Sequence, residues 1–173
     1  MIRIAVTGPE STGKSTLASN LATHYHTVFN PEYAREYIDM LDHPYVYEDV
    51  EKIAREQMKR EKRLLQDASG ILFADTELLV IKVWMEHKYK KFPSWLPGAL
   101  IRNRYDLYLL CDVDVPWEED PQREHPHMRA YFFEKYRAEL DHLKFPYVVV
   151  SGNWVERFNN AVKSVDKISA ISK

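Results

Sequence analysis

Residues 8–15 are the segment whose residue types and spacing most clearly predict chemistry. The sequence Gly-Pro-Glu-Ser-Thr-Gly-Lys-Ser fits the pattern G-x-x-x-x-G-K-[ST] and lies between the apolar run Ile2 to Val6 and a helical pattern that begins near Lys14. In that context the backbone N–H groups can surround a β-phosphate, Lys14 can reach the β- and γ-phosphates, and the Ser15 hydroxyl can bind Mg²⁺. The motif predicts a phosphate-binding loop (P-loop). A strand-to-helix turn that binds nothing is disfavoured, because a match in this context rarely arises by chance.

Asp75 is the acidic residue expected to act beside the P-loop. It follows the apolar run Ile71 to Ala74 and so lies at the carboxyl edge of a predicted strand, where open α/β sheets place their ligands. Together with Ser15 it would hold Mg²⁺, directly or through water. The alternative is that Asp75 caps the helix that begins near Glu77, and the two roles can coexist.

A polar cluster after the second strand predicts an acceptor pocket. Glu32, Tyr33, Arg35 and Glu36 lie within a turn or two of helix near the same edge of the sheet. Carboxylates, an arginine and tyrosines can hold a polar, ring-bearing substrate by hydrogen bonds and stacking. The alternative is a solvated amphipathic helix whose Arg35 pairs with its neighbours.

The segment 112–129 follows the fourth strand and is predicted to form a loop over the surface, because it contains three prolines and mixed charge. Arg123 and Arg129 could close on transferring phosphates, neutralising developing charge and excluding water as kinase-lid arginines do. A polar surface loop is the alternative. His125 and His127 do not predict a zinc site, because no further ligands follow at zinc-like spacing.

The elements that must position these residues alternate between strand and helix. The strand candidates are Ile2 to Val6, His26 to Phe29, Ile71 to Ala74, Leu107 to Leu110 and Tyr147 to Val150. The segments with helical period are 14–25, 47–68, 77–89, 128–143 and 153–168, and Asn153 with Glu156 resembles a capping box. This alternation predicts an α/β fold with a parallel sheet and right-handed crossovers.

Composition sets the outer limits of function. The chain has 173 residues and 45% hydrophobic residues, and no internal repeat or linker divides it, so we expect one domain over residues 1–173. The formal net charge of -2 gives no support for wholesale binding to nucleic acid. No run approaches the roughly 20 apolar residues of a membrane helix, so we expect a cytoplasmic protein without membrane contact. Cys111 lies in an apolar run and predicts a buried, inert thiol.

Five sequence blocks together resemble a known family. They are GPESTGKST, PEYAREY, FADTE, VPWEEDPQR and SGNW, in that order along the chain. They are similar to the nicotinamide riboside kinase domain of the bacterial bifunctional NAD-biosynthesis protein and to free-standing kinases like it. The resemblance implies a nucleoside-kinase-like P-loop fold with a five-stranded parallel sheet flanked by helices, ATP and Mg²⁺ as cofactors, and transfer of the γ-phosphoryl group to the ribose 5′-hydroxyl of nicotinamide riboside.

The resemblance also implies a role for each matching residue. The catalytic residues would be Lys14, Asp75 and Arg123, with Asp75 also orienting the acceptor hydroxyl or accepting its proton. The nucleotide would be bound by Gly8, Glu10, Ser11, Thr12, Gly13, Lys14, Ser15, Thr16, Arg129, Ser151 and Asn153. The riboside would be bound by Glu32, Tyr33, Arg35, Glu36, Asp75 and Trp117, and the metal by Ser15 and Asp75.

Several alternatives stay open. Pro31 stands where better-known members of the family are expected to have an aromatic ring that stacks on nicotinamide, so the acceptor could be another small nucleoside, nucleotide or vitamin. A nucleoside monophosphate would need further arginines, for which Arg35, Arg102 and Arg104 are available. An ATP-binding regulatory module is the non-enzymatic alternative, whereas the fourth strand is not followed by the N-K-x-D of a switch GTPase. The 173 residues leave no room for the adenylyltransferase domain of the bifunctional relatives, and whether a separate adenylyltransferase acts with the chain stays open, as do the oligomeric state and the choice between ATP and GTP.

Overall fold

The computed structural model describes residues 1–171 and has a five-stranded, wholly parallel sheet. Its strands are β1 Ile2–Thr7, β2 Phe29–Asn30, β3 Ile71–Asp75, β4 Leu107–Cys111 and β5 Tyr147–Val150. The helices are α1 Lys14–His24, α2 Tyr33–Asp39, α3 Tyr47–Leu64, α4 Leu78–Tyr89, α5 Trp95–Arg102, α6 Arg129–Leu143 and α7 Trp154–Ile171. The strand order is β2-β3-β1-β4-β5, which confirms the predicted α/β fold class.

Apolar side chains on both faces of the sheet explain its parallel, layered architecture. All residues of β3 and β4 are buried, as are Ile4 to Thr7 of β1. One face packs against α1 and α7, and the other face packs against α3 to α6. The edge strand β5 is different, because Val148 and Val149 each remain 38% exposed.

The central strand β1 pairs with β3 on one side and with β4 on the other. The carboxyl ends of these three strands therefore meet at one edge, where the loops that follow them can cooperate. Cys111 ends β4 there with no exposed surface, and burial raises the pKa of its thiol to about 11. The predicted burial of this thiol is confirmed, and its inertness stays a prediction.

The second strand and two short helices differ from the sequence-based assignment. His26 has φ 51° and Thr27 N–H donates to the Ala22 carbonyl, so these residues close the end of α1, and the strand begins only at Phe29. Helix α5 was not predicted as an element of its own, and α2 was anticipated only as a turn or two. Among residues 1–171 no helix combines the length and apolar character required to cross a membrane.

Candidate active site

The P-loop lies tightly between β4 and α7, and its two glycines are required by that packing. Gly8 has φ 132°, and a Cβ there would lie 2.9 Å from the carbonyl oxygen of Cys111. Gly13 has φ 75°, and a Cβ there would lie 2.4 Å from the ring of Trp154. Any side chain at either position would displace backbone or ring atoms, so the loop needs glycine at both.

Lys14 begins α1, and its side chain folds back over the P-loop. Its ammonium nitrogen donates to the Pro9 carbonyl oxygen at 2.7 Å, and the Thr12 hydroxyl donates to the same oxygen at 2.8 Å. Both bonds tie the Pro9 end of the loop to its Thr12 and Lys14 end. This arrangement places a positive charge and the α1 N-terminus at one point, which suits a phosphate group.

Asp75 lies where the sequence places it, at the end of β3 beside the P-loop. It is only 2% exposed and its Oδ1 has no hydrogen-bond partner, while the nearby Ser15 hydroxyl and Glu32 N–H favour its charged form. Burial raises the pKa of Asp75, whereas the positive charge of Lys14 opposes that shift. A buried carboxylate with an unpartnered oxygen next to a serine hydroxyl is a donor set that suits Mg²⁺.

The interpretation of Asp75 as a helix cap is wrong. The cap of α4 is Glu77, whose carboxylate accepts from the Leu79 N–H at 2.5 Å and from the Thr7 hydroxyl at 3.2 Å. Asp75 is therefore left free for a ligand. Within the described part of the chain, no group of three His, Cys, Asp or Glu side chains could hold a metal. A P-loop Mg²⁺ does not need one, because phosphates and water supply most of its ligands.

Helix α2 directs only part of the predicted acceptor cluster into the site. Glu32 and Arg35 line a cavity of about 270 Å³ that also contains the P-loop. Burial and the Asp75 carboxylate raise the pKa of Glu32, and the charges of Lys14 and Arg35 oppose this shift. Glu32 thus lies close enough to the Asp75 carboxylate for that charge to raise its pKa, although Asp75 itself does not line the cavity.

Tyr33 and Glu36 lie outside that cavity, and this corrects their predicted place on the substrate side. Both face Arg60 of α3, whose guanidinium lies 4.0 Å from the Tyr33 ring centroid and donates to the Glu36 carboxylate at 2.6 and 2.9 Å. Residues three apart share a helix face, so the pair 33 and 36 points one way and the pair 32 and 35 points another.

The segment 112–128, named the lid loop here, crosses the P-loop. Ser11 is one of its contacts there: the Ser11 hydroxyl accepts from the Glu118 N–H at 2.8 Å and from Arg123 at 3.4 Å. The Ser11 carbonyl accepts from Arg129 at 3.1 Å. The predicted lid arginines are thus both brought to the P-loop, and Arg123 also lines the cavity.

Trp117 supports the lid arginines and does not line the cavity, contrary to its predicted contact with the riboside. The guanidinium carbons of Arg123 and Arg129 lie 5.9 and 5.8 Å from its ring centroid. An indole within about 6 Å of two guanidinium groups attracts both through its ring quadrupole.

An aromatic wall at the far end of the cavity was not predicted. It is formed by side chains of α4, α6 and the loop before α3, namely Tyr45, Trp84, His87, Phe132 and Tyr136. Tyr45 and Trp84 meet edge to face with centroids 5.0 Å apart. Spacing was the available signal, since Val80, Trp84 and His87 follow i, i+4, i+7 and share one face of α4.

Arg157 was also missed, although it is fully buried behind the P-loop. It donates to the Thr12 carbonyl at 3.0 Å and to the Asp112 carbonyl at 3.3 Å, and it pairs with the Asp114 carboxylate. It joins three segments, the P-loop, the lid loop and α7. The sequence offers one hint of this role: Arg157 lies in the first turn of α7, next to Phe158 of its apolar face.

The segment that follows β5 does not place its predicted side chains in the cavity. Ser151 and Asn153 do not line it, and the Asn153 side chain instead accepts from the Val155 and Glu156 N–H groups at 3.0 and 3.1 Å. Glu156 in turn accepts from the Asn153 N–H at 3.0 Å, which confirms the predicted capping box. Trp154 is the residue of this segment that lines the cavity.

Arginines for a second phosphate are not gathered at the site. Arg102 and Arg104 do not line the cavity, and the Arg104 carbonyl accepts from Arg3 near the start of β1, at the opposite edge of the sheet. Arg35 is paired with Asp120 of the lid loop at 2.7 Å. This arrangement counts against a nucleoside monophosphate as acceptor.

Comparison with known proteins agrees with the geometry. The model of a protein family described as an AAA domain matches residues 3–157. The curated Trifunctional NAD biosynthesis/regulator protein NadR of Escherichia coli (strain K12) is 27% identical over 126 residues, which cover 69% of this chain and 30% of that protein. The chain thus spans less than a third of the curated relative it matches.

Solved structures extend the similarity to almost the whole chain. The crystal structure of NadR protein in complex with NR has a TM-score of 0.76 and 25% identity, covering 98% of this chain and 52% of that chain. The crystal structure of NadR protein in complex with NAD and AMP-PNP has a TM-score of 0.79 and 23% identity, covering 98% and 49%. The predicted resemblance to the NAD-biosynthesis protein is confirmed.

Proposed function

The chain belongs to the AAA domain family, and on that premise we propose that it is an ATP- and Mg²⁺-dependent kinase that phosphorylates the 5′-hydroxyl of nicotinamide riboside. Its fold is that of a nucleoside-kinase-like P-loop protein. The acceptor is proposed because NadR protein, which shares that fold, has been crystallised with NR.

The observation that carries the proposal is the contact between Ser15 and Asp75 beside Lys14. A serine hydroxyl and a buried carboxylate would hold Mg²⁺ between them, and the metal would supply charge neutralisation for the β- and γ-phosphates. Lys14 would turn from the Pro9 carbonyl to the phosphate oxygens, which offer a stronger, charge-assisted hydrogen bond.

Glu32 and Asp75 are the two carboxylates that could accept the proton of the acceptor hydroxyl. The 5′-oxygen forms a bond to the γ-phosphorus while the bond to the β-bridging oxygen breaks, and the hydroxyl proton passes to a carboxylate. Since burial raises the pKa of both groups, either is a better proton acceptor than an ordinary carboxylate. Asp75 contacts the serine of the metal site, so we assign proton acceptance to Glu32 or Asp75 and metal binding to Asp75 alone.

The aromatic wall and the lid loop complete the site. Tyr45 and Trp84 offer ring surface and edges for a flat heteroaromatic ring. The Lys88 ammonium already lies 3.7 Å from the Tyr45 ring centroid and pairs with Glu124 at 3.4 Å, so the open ring of this pair is that of Trp84. The aromatic wall would take the place of the aromatic ring that is expected at position 31 to stack on nicotinamide, where this chain has Pro31. Arg123 would stabilise charge that develops on the transferring phosphoryl group, and the closed lid loop would exclude water.

The test is ADP release by the purified protein with Mg·ATP and a panel of nicotinamide riboside, common nucleosides, their monophosphates and thiamine. We expect release with the riboside and a product whose mass is that of its 5′-monophosphate. Lys14→Ala should lower turnover by orders of magnitude and keep the fold, because Lys14 is only partly buried, whereas Lys59→Ala on the surface of α3 is the matched control.

The outcomes separate the alternatives. Turnover with a different nucleoside or vitamin would retain the kinase and replace the acceptor. Binding of ATP without any acceptor-dependent turnover would overturn the proposal in favour of a regulatory module.

A further inference from the structure

Trp154 is an exposed aromatic residue at the place where the cavity meets the P-loop. It is the first residue of α7 and is 49% exposed, although large apolar side chains are usually buried. Its ring contacts Gly13, because a Cβ on that glycine would lie 2.4 and 2.6 Å from two ring carbons. One end of the indole is thus fixed on the P-loop while much of its surface stays open to the cavity.

The backbone donors around Trp154 are already used within the segment. The Gly152 N–H donates to Asp114 at 2.5 Å and the Asn153 N–H donates to Glu156 at 3.0 Å. The Val155 and Glu156 N–H groups donate to the Asn153 side chain, and the Arg157 N–H donates to the Asn153 carbonyl at 2.8 Å. The capping box therefore leaves no backbone N–H of residues 152, 153 and 155 to 157 for the edge of a bound base.

We propose that Trp154 binds the base of the donor nucleotide by stacking, and that the site consequently accepts purine nucleoside triphosphates with little discrimination between adenine and guanine. The inference rests on the proposed function only in requiring a nucleoside triphosphate at the P-loop. Stacking uses the π-face that every base has, so it does not distinguish the two purines.

Discrimination between adenine and guanine needs hydrogen bonds to their edges. The edge atoms differ in donor and acceptor character, and a site that reads them must present matching groups. Here the N–H donors of residues 152, 153 and 155 to 157 are occupied, and the side chains of Asn153, Glu156 and Asp114 bind within that segment and to Arg157. Affinity then comes from the phosphates and the stack, with less stacking area for a pyrimidine.

Equilibrium binding of ADP, GDP and CDP with Mg²⁺ tests the inference without any acceptor. We expect wild-type Kd values for ADP and GDP within about tenfold of each other and weaker binding of CDP. Trp154→Ala should raise the Kd for both purines by about tenfold, in line with base stacking on aromatic side chains, and Trp154→Phe should raise it by less than threefold.

Tryptophan fluorescence supplies a second readout. Nucleotide should quench the wild type and the control Trp95→Phe equally, because the Trp95 indole instead donates to Glu51 on α3. It should quench Trp154→Phe much less, because only Trp84 and Trp117 then remain near the site. Since Trp154 is half-exposed, Trp154→Ala should fold, and urea unfolding checks this.

Three results would overturn the inference: a Kd ratio for ADP and GDP above tenfold, a purine Kd that Trp154→Ala leaves within threefold, or a quench that is undiminished in Trp154→Phe. Failure of the proposed function is distinguishable from these. In that case no acceptor is phosphorylated, yet the binding pattern of the three nucleotides persists.

Discussion

Glu10 of the P-loop and His125 of the lid loop are joined directly: the Glu10 carboxylate accepts a hydrogen bond from the His125 backbone N–H at 3.0 Å. The same carboxylate accepts from the Glu124 N–H at 3.2 Å. A further link is made by Arg35 of α2, which pairs with Asp120 of the lid loop at 2.7 Å. The lid loop is therefore held closed from both the nucleotide side and the acceptor side.

Removing the Glu10 carboxylate should loosen the lid loop. Hydrogen bonds to a charged group contribute about 1.5–3 kcal/mol each, so Glu10→Ala should make opening at least tenfold more frequent. Limited trypsin digestion measures this as faster cleavage after Arg123. The matched control is Glu119→Ala, because Glu119 is an exposed carboxylate of the same loop. Equal cleavage rates for wild type and Glu10→Ala would mean that other contacts close the loop.

Asp75→Asn should lose Mg²⁺-dependent turnover while gaining stability at neutral pH. The folded state raises the pKa of Asp75 through burial, so folding disfavours its charged form. The protonated carboxyl therefore contributes fully to the free energy of unfolding below its unfolded pKa, and this contribution is lost as the pH rises through its folded pKa. A neutral amide removes that cost. Urea unfolding at pH 7.5 and pH 4 checks the stability, and a full rate at saturating Mg²⁺ would contradict the metal role.

Glu77 should make the protein less stable as the pH rises from about 4.5 to about 7. Burial raises the pKa of this carboxyl from 4.5 to about 7, so its protonated form favours the fold and its ionised form opposes it. The loss approaches on the order of 3 kcal/mol above pH 7. Glu77→Gln should flatten the dependence of the unfolding free energy on pH, while some slope remains from Asp75 and Glu32. An unaltered slope in Glu77→Gln, equal to that of the exposed control Glu119→Gln, would refute this assignment.

The P-loop, Asp75 and the lid arginines could be placed from sequence because their positions follow from local rules. The spacing in residues 8–15 fixes the loop between strand and helix, and Asp75 directly ends an apolar run. Parallel strands bring their carboxyl ends to one edge, so residues far apart in sequence meet there without further information.

Helix phase and long-range packing could not be read in the same way. Whether Glu32 or Tyr33 faces the cavity depends on how α2 rotates against α3, and Arg60 decides it by pairing with Glu36. The aromatic wall joins α4, α6 and the loop at Tyr45, whose relative positions depend on the whole core. No local pattern marks such a meeting of distant residues.

Arg123→Ala should lower kcat more than it raises the KM for ATP. Its guanidinium lies at the P-loop, 3.4 Å from the Ser11 hydroxyl and near the Trp117 ring. A positive charge that acts mainly on the transition state raises kcat and has little effect on the binding of ATP. We expect a fall in kcat of about 10²-fold or more. Steady-state kinetics with the proposed riboside measures both constants, and Arg137→Ala on the exposed face of α6 is the control. An unchanged kcat would favour the alternative interpretation, in which the lid loop is a polar surface loop without a catalytic role.

Arg157 should prove to be the main internal support of the P-loop. Removing it would leave the Thr12 and Asp112 carbonyls without their donor and the Asp114 carboxylate without its partner. Breaking a buried ion pair costs about 3–5 kcal/mol, and we expect about 3 kcal/mol for Arg157→Met because Asp114 is 34% exposed and partly solvated. Adding Asp114→Asn should restore part of the loss by removing the unpaired charge, and urea unfolding of both variants measures it. If Arg157→Met unfolds at the wild-type urea concentration, the P-loop is held by its glycines and Lys14 alone.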